Sequence, residues 1–548
     1  MSLDHADILI TGARILDGTG APARDDDLAI IDGRIREVRP GEARPDRVGR
    51  RIDASNRVVA PGFIDLHSHA ALMILADPDH GAKVRQGVTT ELVGVDGLSY
   101  APFPNPRDLE QLVHMNAGLD GDPRDADGAR GTSGRGQPIT IDWATVEDVL
   151  QRYDTGTAVN VAQIVGNTPL RIAALGWDHV EATPATIRDQ RARLREAMEE
   201  GAFGISSGLD YPPGAYATTE ELAELANEAA ALGGIYHTHV RYALGDRFLD
   251  PFREAIEIGR LGEAPAHITH FYHRATFPGT PEQMLQLVDD ATARGQDVSF
   301  DLYPSEWAST RLLILIPIDV LEGGPTRTKE RLADAAVRAR IRDDLAKRGQ
   351  LFAGQGGLRD IVIGYLRRPE HLRWEGRTLG ELIDDTAKDP VDALCDLLID
   401  EDLRPNEVTP GPNLPGTRRF LQHPGAMIGT DSVFVGARPS PRTFGSYPRI
   451  LGQFVRDEAL LGLEDAVARM TGLPAARLGL RDRGTIRDGA VADLVIFDPR
   501  TVRSDATIDD PTRRPEGIET VIVAGTIVVD GGRSTGARPG RGLRRGRD

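Results

Sequence analysis

The 548-residue chain has a single cysteine, Cys395, no long apolar run and fewer basic than acidic side chains. One thiol can form no disulfide within the chain and cannot build a multi-cysteine zinc site. A reducing compartment fits that. No stretch reaches the about 20 apolar residues that a membrane-spanning helix needs. The opening "MSLDHADILITG" carries acids where a secretory leader would carry lysines, and its apolar part is too short for a leader core. The sequence therefore reads as cytoplasmic. With 83 acidic against 65 basic side chains the formal net charge is −18, which disfavours general affinity for nucleic acid or anionic membrane and leaves a small-molecule substrate as the expected partner. The basic ending "RPGRGLRRGRD" is too short to reverse this and reads as a solvated, flexible tail.

What is present is soluble-enzyme composition, 40% apolar and 27% charged. Residues 1–60 alternate apolar and polar in short runs such as "ADILITGARILDG" and "DLAIIDGRIREVRP", with glycine turns between them. That is hairpin grammar. It returns only near the other end, in "GAVADLVIFDP" and "IETVIVAGTIVVDGG". Residues 1–60 and 481–535 thus predict two halves of one small composite β-sandwich domain enclosing residues 61–480, with 536–548 as the basic tail.

The middle alternates strand-like runs with helical patterns, which argues for βα units and a parallel sheet. Eight such runs occur: "RVVAPGFIDLHSH", "VTTELVGVD", "AVNVAQIVG", "AFGISSG", "GIYHTHV", "APAHITH", "DVSFDLYP" and "AMIGTDS". Helix starts are marked by Thr183-Pro184, Thr218 with Glu221, and Thr280-Pro281 with Gln283. The fold class expected is α/β, a closed (β/α)8 TIM-like barrel. Two connections, at about 97–157 and 305–424, are far longer than a compact barrel needs and read as lids, binding loops or disordered segments. The first contains "GTSGRGQ", which is not a phosphate loop, because no lysine-serine or lysine-threonine follows it.

A barrel's active site lies at the C-terminal ends of its strands, and that is where histidines and acids collect. The first run ends in His67-Ser68-His69, whose imidazoles share a face by the period of 2. The second ends at Asp96, set between glycines in "GVDG". The fifth has His237 and His239, the sixth His267 and His270, and the eighth Asp431. A lone histidine is more often a hydrogen-bonded core residue, and a lone Asp beside Gly is more often a turn. Together they are different: of 13 histidines, six fall at or beside three strand ends. Imidazole with carboxylate and without thiolate suits zinc, one or two ions, with other divalent metals possible. His5, His80, His114, His179, His371 and His423 lie outside these ends and read as structural.

These residues resemble the amidohydrolase superfamily and, within it, the N-acyl-D-amino-acid deacylases, or D-aminoacylases. The resemblance runs over nearly the whole chain, through "VVAPGFIDLHSH", "GAFGISSGLDYPPGAYATTEELAELA", "THVR", "HITH", "MIGTDS", "PRTFGSYPRILGQFVRD" and "RGTIRDGAVADLVIFDP". It implies that His67, His69 and Asp431 surround one metal position and that His239 and His270 hold the other. Asp96 stands where these deacylases have a metal-ligating cysteine, and a carboxylate can bridge two cations in its place. Arg442 and Tyr303 match residues that grip the substrate's carboxylate. Tyr272 stands where a substrate-contacting lysine is expected, Asn167 and Ser440 where histidines are usual.

The activity implied is metal-dependent hydrolysis of the amide bond of an N-acyl amino acid, with the D enantiomer favoured. A metal-activated hydroxide attacks the acyl carbon, and Asp431 serves as general base and then general acid. A cyclic-amide hydrolase on the same scaffold is the alternative. Those enzymes need a carboxylated lysine on the fourth strand, where "AFGISSG" has none. A non-catalytic scaffold relative is the remaining alternative, and it would have lost ligands.

Overall fold

The computed structural model describes residues 5–39, 42–242, 247–274, 276–352 and 357–548. The first four residues of the acidic opening lie outside the described residues. Eight parallel strands form the centre: β1 (Phe63–Asp65, resumed at Ser68–His69), β2 (Val88–Val93), β3 (Asn160–Gln163, resumed at Val165–Gly166), β4 (Gly204–Gly208), β5 (Ile235–His239), β6 (Ala266–Ile268), β7 (Val298–Leu302) and β8 (Ala426–Ile428, resumed at Ser432–Val433). Neighbours pair in parallel register, Asp65 with Glu91, Leu92 with Ala162, Gly166 with Ser206 and His237 with His267. Leu302 pairs with Ile428, and Val433 with His69. The ring is thereby closed, as the eight runs predict. All residues of β2, β4 and β5 are buried, the expected condition of parallel strands with helices outside and packed side chains inside.

The helix starts read from sequence are caps in the structure. Thr218 accepts from Glu221 N, and Thr280 with Gln283 and Thr183 with Thr186 form reciprocal capping boxes. The first and last segments meet in one nine-stranded sheet, where Val59 pairs with both Ile15 and Ile496. Ile10, Ile30, Leu494 and Ile522, from both ends of the chain, share one apolar cluster.

The second long connection is folded rather than disordered. Trp307–Arg311, Val362–Tyr365 and Asn406–Pro410 make a three-stranded antiparallel sheet with Asn406–Pro410 in the middle. Helices Gly324–Ala333, Leu379–Thr386 and Pro390–Asp400 accompany it, and the unit has its own core around Leu312, Ile363, Leu394 and the buried Cys395. Among the described residues no helix is long and apolar enough to cross a membrane.

The basic ending corrects the sequence reading. It is not a solvated tail: Val161 N donates to Arg541 O (2.9 Å) and Leu543 N to Val161 O (2.8 Å), and Leu543 is fully buried. Arg544 forks onto Glu147 and Asp154, each at 2.8 Å. Composition alone suggests solvation, but one leucine finds an apolar recess beside β3, and helix Val146–Asp154 supplies the acids that neutralise the arginine.

Candidate metal centre

Three of the six residues expected to hold metal leave their strands in the left-handed region: Asp96 at φ 54°, His270 at φ 33° and Asp431 at φ 48°. Such backbones cost about 1–3 kcal/mol each outside glycine, and they gather where geometry serves function. The Asp96 turn is held from below by Gly208, where a Cβ would lie 1.8 Å from Asp96 O. Aspartate beside glycine is thus a turn here, and it also aims the carboxylate inward.

That carboxylate is the hub. Asp96 Oδ2 lies 3.4 Å from His67 Nε2, 3.5 Å from His69 Nε2, 3.4 Å from His239 Nδ1 and 3.7 Å from His270 Nε2. Asp431 Oδ1 faces His69 Nε2 at 3.3 Å and His67 Nε2 at 3.6 Å. All six side chains are buried. Burial alone would raise the Asp96 carboxyl, but His67, His239 and His270 hold it well below the usual carboxylate range. Asp431 is brought to about 2 in the same way, with Arg442 and His67 outweighing burial.

The donor set fits a cation. His67 is fully buried, yet among the described residues neither ring nitrogen has a hydrogen-bond partner, and an unsatisfied buried polar group is costly. His239 Nδ1 and His270 Nε2 stand 2.8 Å apart, a separation that needs a proton or a cation between them. The groups His67, His69, Asp96 and Asp96, His239, His270 each bring their donor atoms close enough to hold one ion, as do His67, His270 and Asp431. Second partners orient the rings: His69 Nδ1 contacts Asp120 Oδ1 at 2.7 Å, and His239 Nε2 contacts Asp210 Oδ2 at 3.1 Å. A carboxylate behind a ligating imidazole fixes its tautomer and raises its basicity.

His237 and His267 lie one layer deeper. His237 Nε2 contacts Leu66 O and His267 Nε2 contacts Asp301 Oδ2, both at 3.1 Å. His273 serves Asn413. Asn167 donates to Gly214 O, and Ser440 to Trp307 O, so both tie loops together.

Above the cluster opens a pocket with about 760 Å³ of empty space, lined by Asp96, His239, His270 and Asp431 below and by the folded insertion above. Tyr272 and Tyr303 line it as well. Arg442 does not: it is buried behind Asp431, with Nη2 at 2.8 Å from Asp431 Oδ2 and 3.0 Å from Ser309 O. Its guanidinium lies 4.2 Å from the centre of the Tyr303 ring, and among the described residues its Nε and Nη1 have no hydrogen-bond partner. Arg274 is the arginine on the pocket wall, its Nη2 donating to Tyr272 Oη at 3.1 Å.

The sequence reading does not single out Asp120, Asp210, Arg274, Asp301 or Glu407. Asp301 was open to discovery, since it sits two residues before Tyr303 in the same strand-like run, and Asp210 belongs to the deacylase-like "GISSGLDYPPG". Glu407 and Asp120 come from the long connections and carry no local signal. Glu407 lines the pocket, is buried, and leaves Oε2 without a hydrogen-bond partner among the described residues.

Residues 50–529 match the model of the amidohydrolase family. The D-aminoacylase of Alcaligenes xylosoxydans xylosoxydans is 35% identical over 98% of this chain and 98% of its own length. The N-acyl-D-glutamate deacylase of that organism is also 35% identical, over 99% and 97%. Among solved structures, the N-acyl-D-glutamate deacylase of Bordetella bronchiseptica, complexed with zinc and a phosphonate inhibitor that mimics the tetrahedral intermediate, superposes with a TM-score of 0.81. It is 32% identical and is matched over 98% of this chain and 99% of that one.

Proposed function

Because the chain belongs to the amidohydrolase family and is related over its full length to D-aminoacylases, we propose that it is a zinc-dependent hydrolase that cleaves the amide bond of N-acyl-D-amino acids. The observation that carries this reading is the position of the Asp96 carboxylate among four imidazoles at the floor of a pocket.

His67, His69 and Asp431 would hold one ion and His239 and His270 the other, with Asp96 between them. When bound, zinc lowers the pKa of water from about 15.7 towards 7 and polarises the acyl oxygen. The chain's own groups do the rest. Asp431 turns Oδ1 into the site because Arg442 holds Oδ2, so Oδ1, the oxygen that would face the ion, is also the one placed to take the proton of the attacking water and return it to the departing nitrogen. Tyr272, Tyr303 and Arg274 form the wall that receives the substrate's carboxylate, a cationic and hydroxyl-bearing surface suited to it. Arg442, stacked behind Tyr303, adds positive potential from one layer further in. The insertion covers the site with Ile314, Leu315 and Ile361, which exclude water and suit an apolar acyl or side-chain group. The compartment we assign is the cytoplasm, in keeping with one buried thiol.

A hydrolysis screen of N-acyl-D- and N-acyl-L-amino acids with zinc-loaded protein tests this. Amine release from D substrates, absent after chelation and restored by zinc, is the expected result. Ring opening of cyclic amides with no release from any N-acyl-amino acid would contradict it.

A further inference from the structure

A second pocket, with about 900 Å³ of empty space and no lining residue in common with the first, opens on another part of the surface. Its walls carry four arginines, Arg85, Arg130, Arg135 and Arg514. They come from three distant parts of the chain: helix Gly81–Val84 and its cap, the "ARGTSGRG" stretch, and the loop after residue 510. Among the described residues none of the four has a carboxylate within ion-pair distance, although most arginines of this acidic chain do. The four share one pocket, and the pKa of Arg85 is lowered first by burial and then by Arg514 and Arg135. Arg85 Nε and Ser534 Oγ are buried atoms without a hydrogen-bond partner among the described residues.

Like charges do not gather in a concavity without cost. The acids nearby do not cancel them: Asp79 is paired with Arg538 at 2.7 Å, and among the described pocket residues Asp77 is the remaining acid, whose charge acts on Arg85. Thr132, Ser133 and Thr512 line the same walls, and Phe434 and Phe444 supply an apolar side. Guanidinium forks and hydroxyls around one cavity match the tetrahedral oxygens of a phosphate, and several positive charges favour a group of charge −2 or more over a single carboxylate. From this arrangement we propose that the pocket of Arg85, Arg130, Arg135 and Arg514 binds the phosphate group of a small phosphorylated molecule, apart from the site of hydrolysis. The "GTSGRG" segment takes part through side chains, not through the backbone cradle of a phosphate loop.

Calorimetric titration of the full-length, zinc-loaded protein with inorganic pyrophosphate, inorganic phosphate and acetate at one fixed ionic strength provides the test. Saturable 1:1 binding is expected, tightest for pyrophosphate and absent for acetate. Arg85→Gln and Arg514→Gln should each weaken pyrophosphate roughly tenfold, the size expected of one charge-assisted hydrogen bond, with amide hydrolysis in the absence of pyrophosphate unchanged. Arg107→Gln, at an exposed position of helix Pro106–Met115, should leave the affinity as it was. Failure of the parent protein to saturate, or equal weakening by all three substitutions, would overturn the proposal. So would sedimentation with phosphatidylglycerol vesicles in the absence of saturable pyrophosphate binding, which marks a surface patch and not a pocket.

Discussion

Asp96 decides whether the imidazole cluster is a metal centre or a set of buried bases. As a carboxylate it offers two oxygens and one negative charge to groups that would otherwise hold several positive charges together in a buried space. Asp96→Asn keeps the shape and removes the charge. Its expected effect is loss of bound zinc by elemental analysis and a fall in kcat/KM of at least about 100-fold, the upper end of what outer-shell partners alone cost. Asp96→Cys, which restores an anionic ligand, should retain metal. Glu407 makes a different prediction. Burial raises its carboxyl to about 8, with Arg274 and Arg442 pulling the other way. In the unfolded chain glutamate titrates near 4.3. Between those values the unfolded chain releases a proton that the folded one keeps, so stability falls as pH rises, by up to about 1.4 kcal/mol per unit. Glu407→Gln abolishes that slope. Thermal melts should therefore show the variant gaining on the parent from pH 5 to pH 8, and a gain independent of pH would count against a protonated Glu407.

Strands and helix caps were readable because their rules are local. The apolar runs of β1 to β8 end in turns, and Thr218 or Thr280 meets its partner three residues on. The convergence of His67 with Asp431 was readable as well, since a closed ring brings every strand end to one rim. Contacts made by the long connections were not, because no period or spacing within residues 305–424 says that Asn406–Pro410 becomes the middle strand of a sheet that lowers Glu407 into the pocket. Arg442 shows the same limit: its motif places it near the site, but nothing local in the sequence says that Asp431 occupies one side of its fork. In the last thirteen residues the opposite holds, since the basic composition masks the one apolar residue that counts, Leu543. Deleting residues 536–548 removes the burial of Leu543, worth about 1.5–3 kcal/mol, together with both Arg544 pairs. The truncated protein should melt lower and unfold at lower urea, whereas an unchanged midpoint would mean that the segment does not hold β3.

The chain as a whole is acidic, with four arginines gathered at one pocket, and its first and last segments are joined in one nine-stranded sheet. Everything proposed about hydrolysis rests on cations replacing protons among buried imidazoles and carboxylates, since metal and proton compete for the same lone pairs. The loaded protein should therefore lose zinc as pH falls and melt lower after chelation. Anomalous diffraction at the zinc edge from crystals of the zinc-loaded protein is the most direct measurement. The account predicts density between the His67–His69–Asp431 and His239–His270 groups, with an Asp96 oxygen at about 2.0–2.2 Å from the metal. Density elsewhere, or Asp96 turned away from it, would contradict the account.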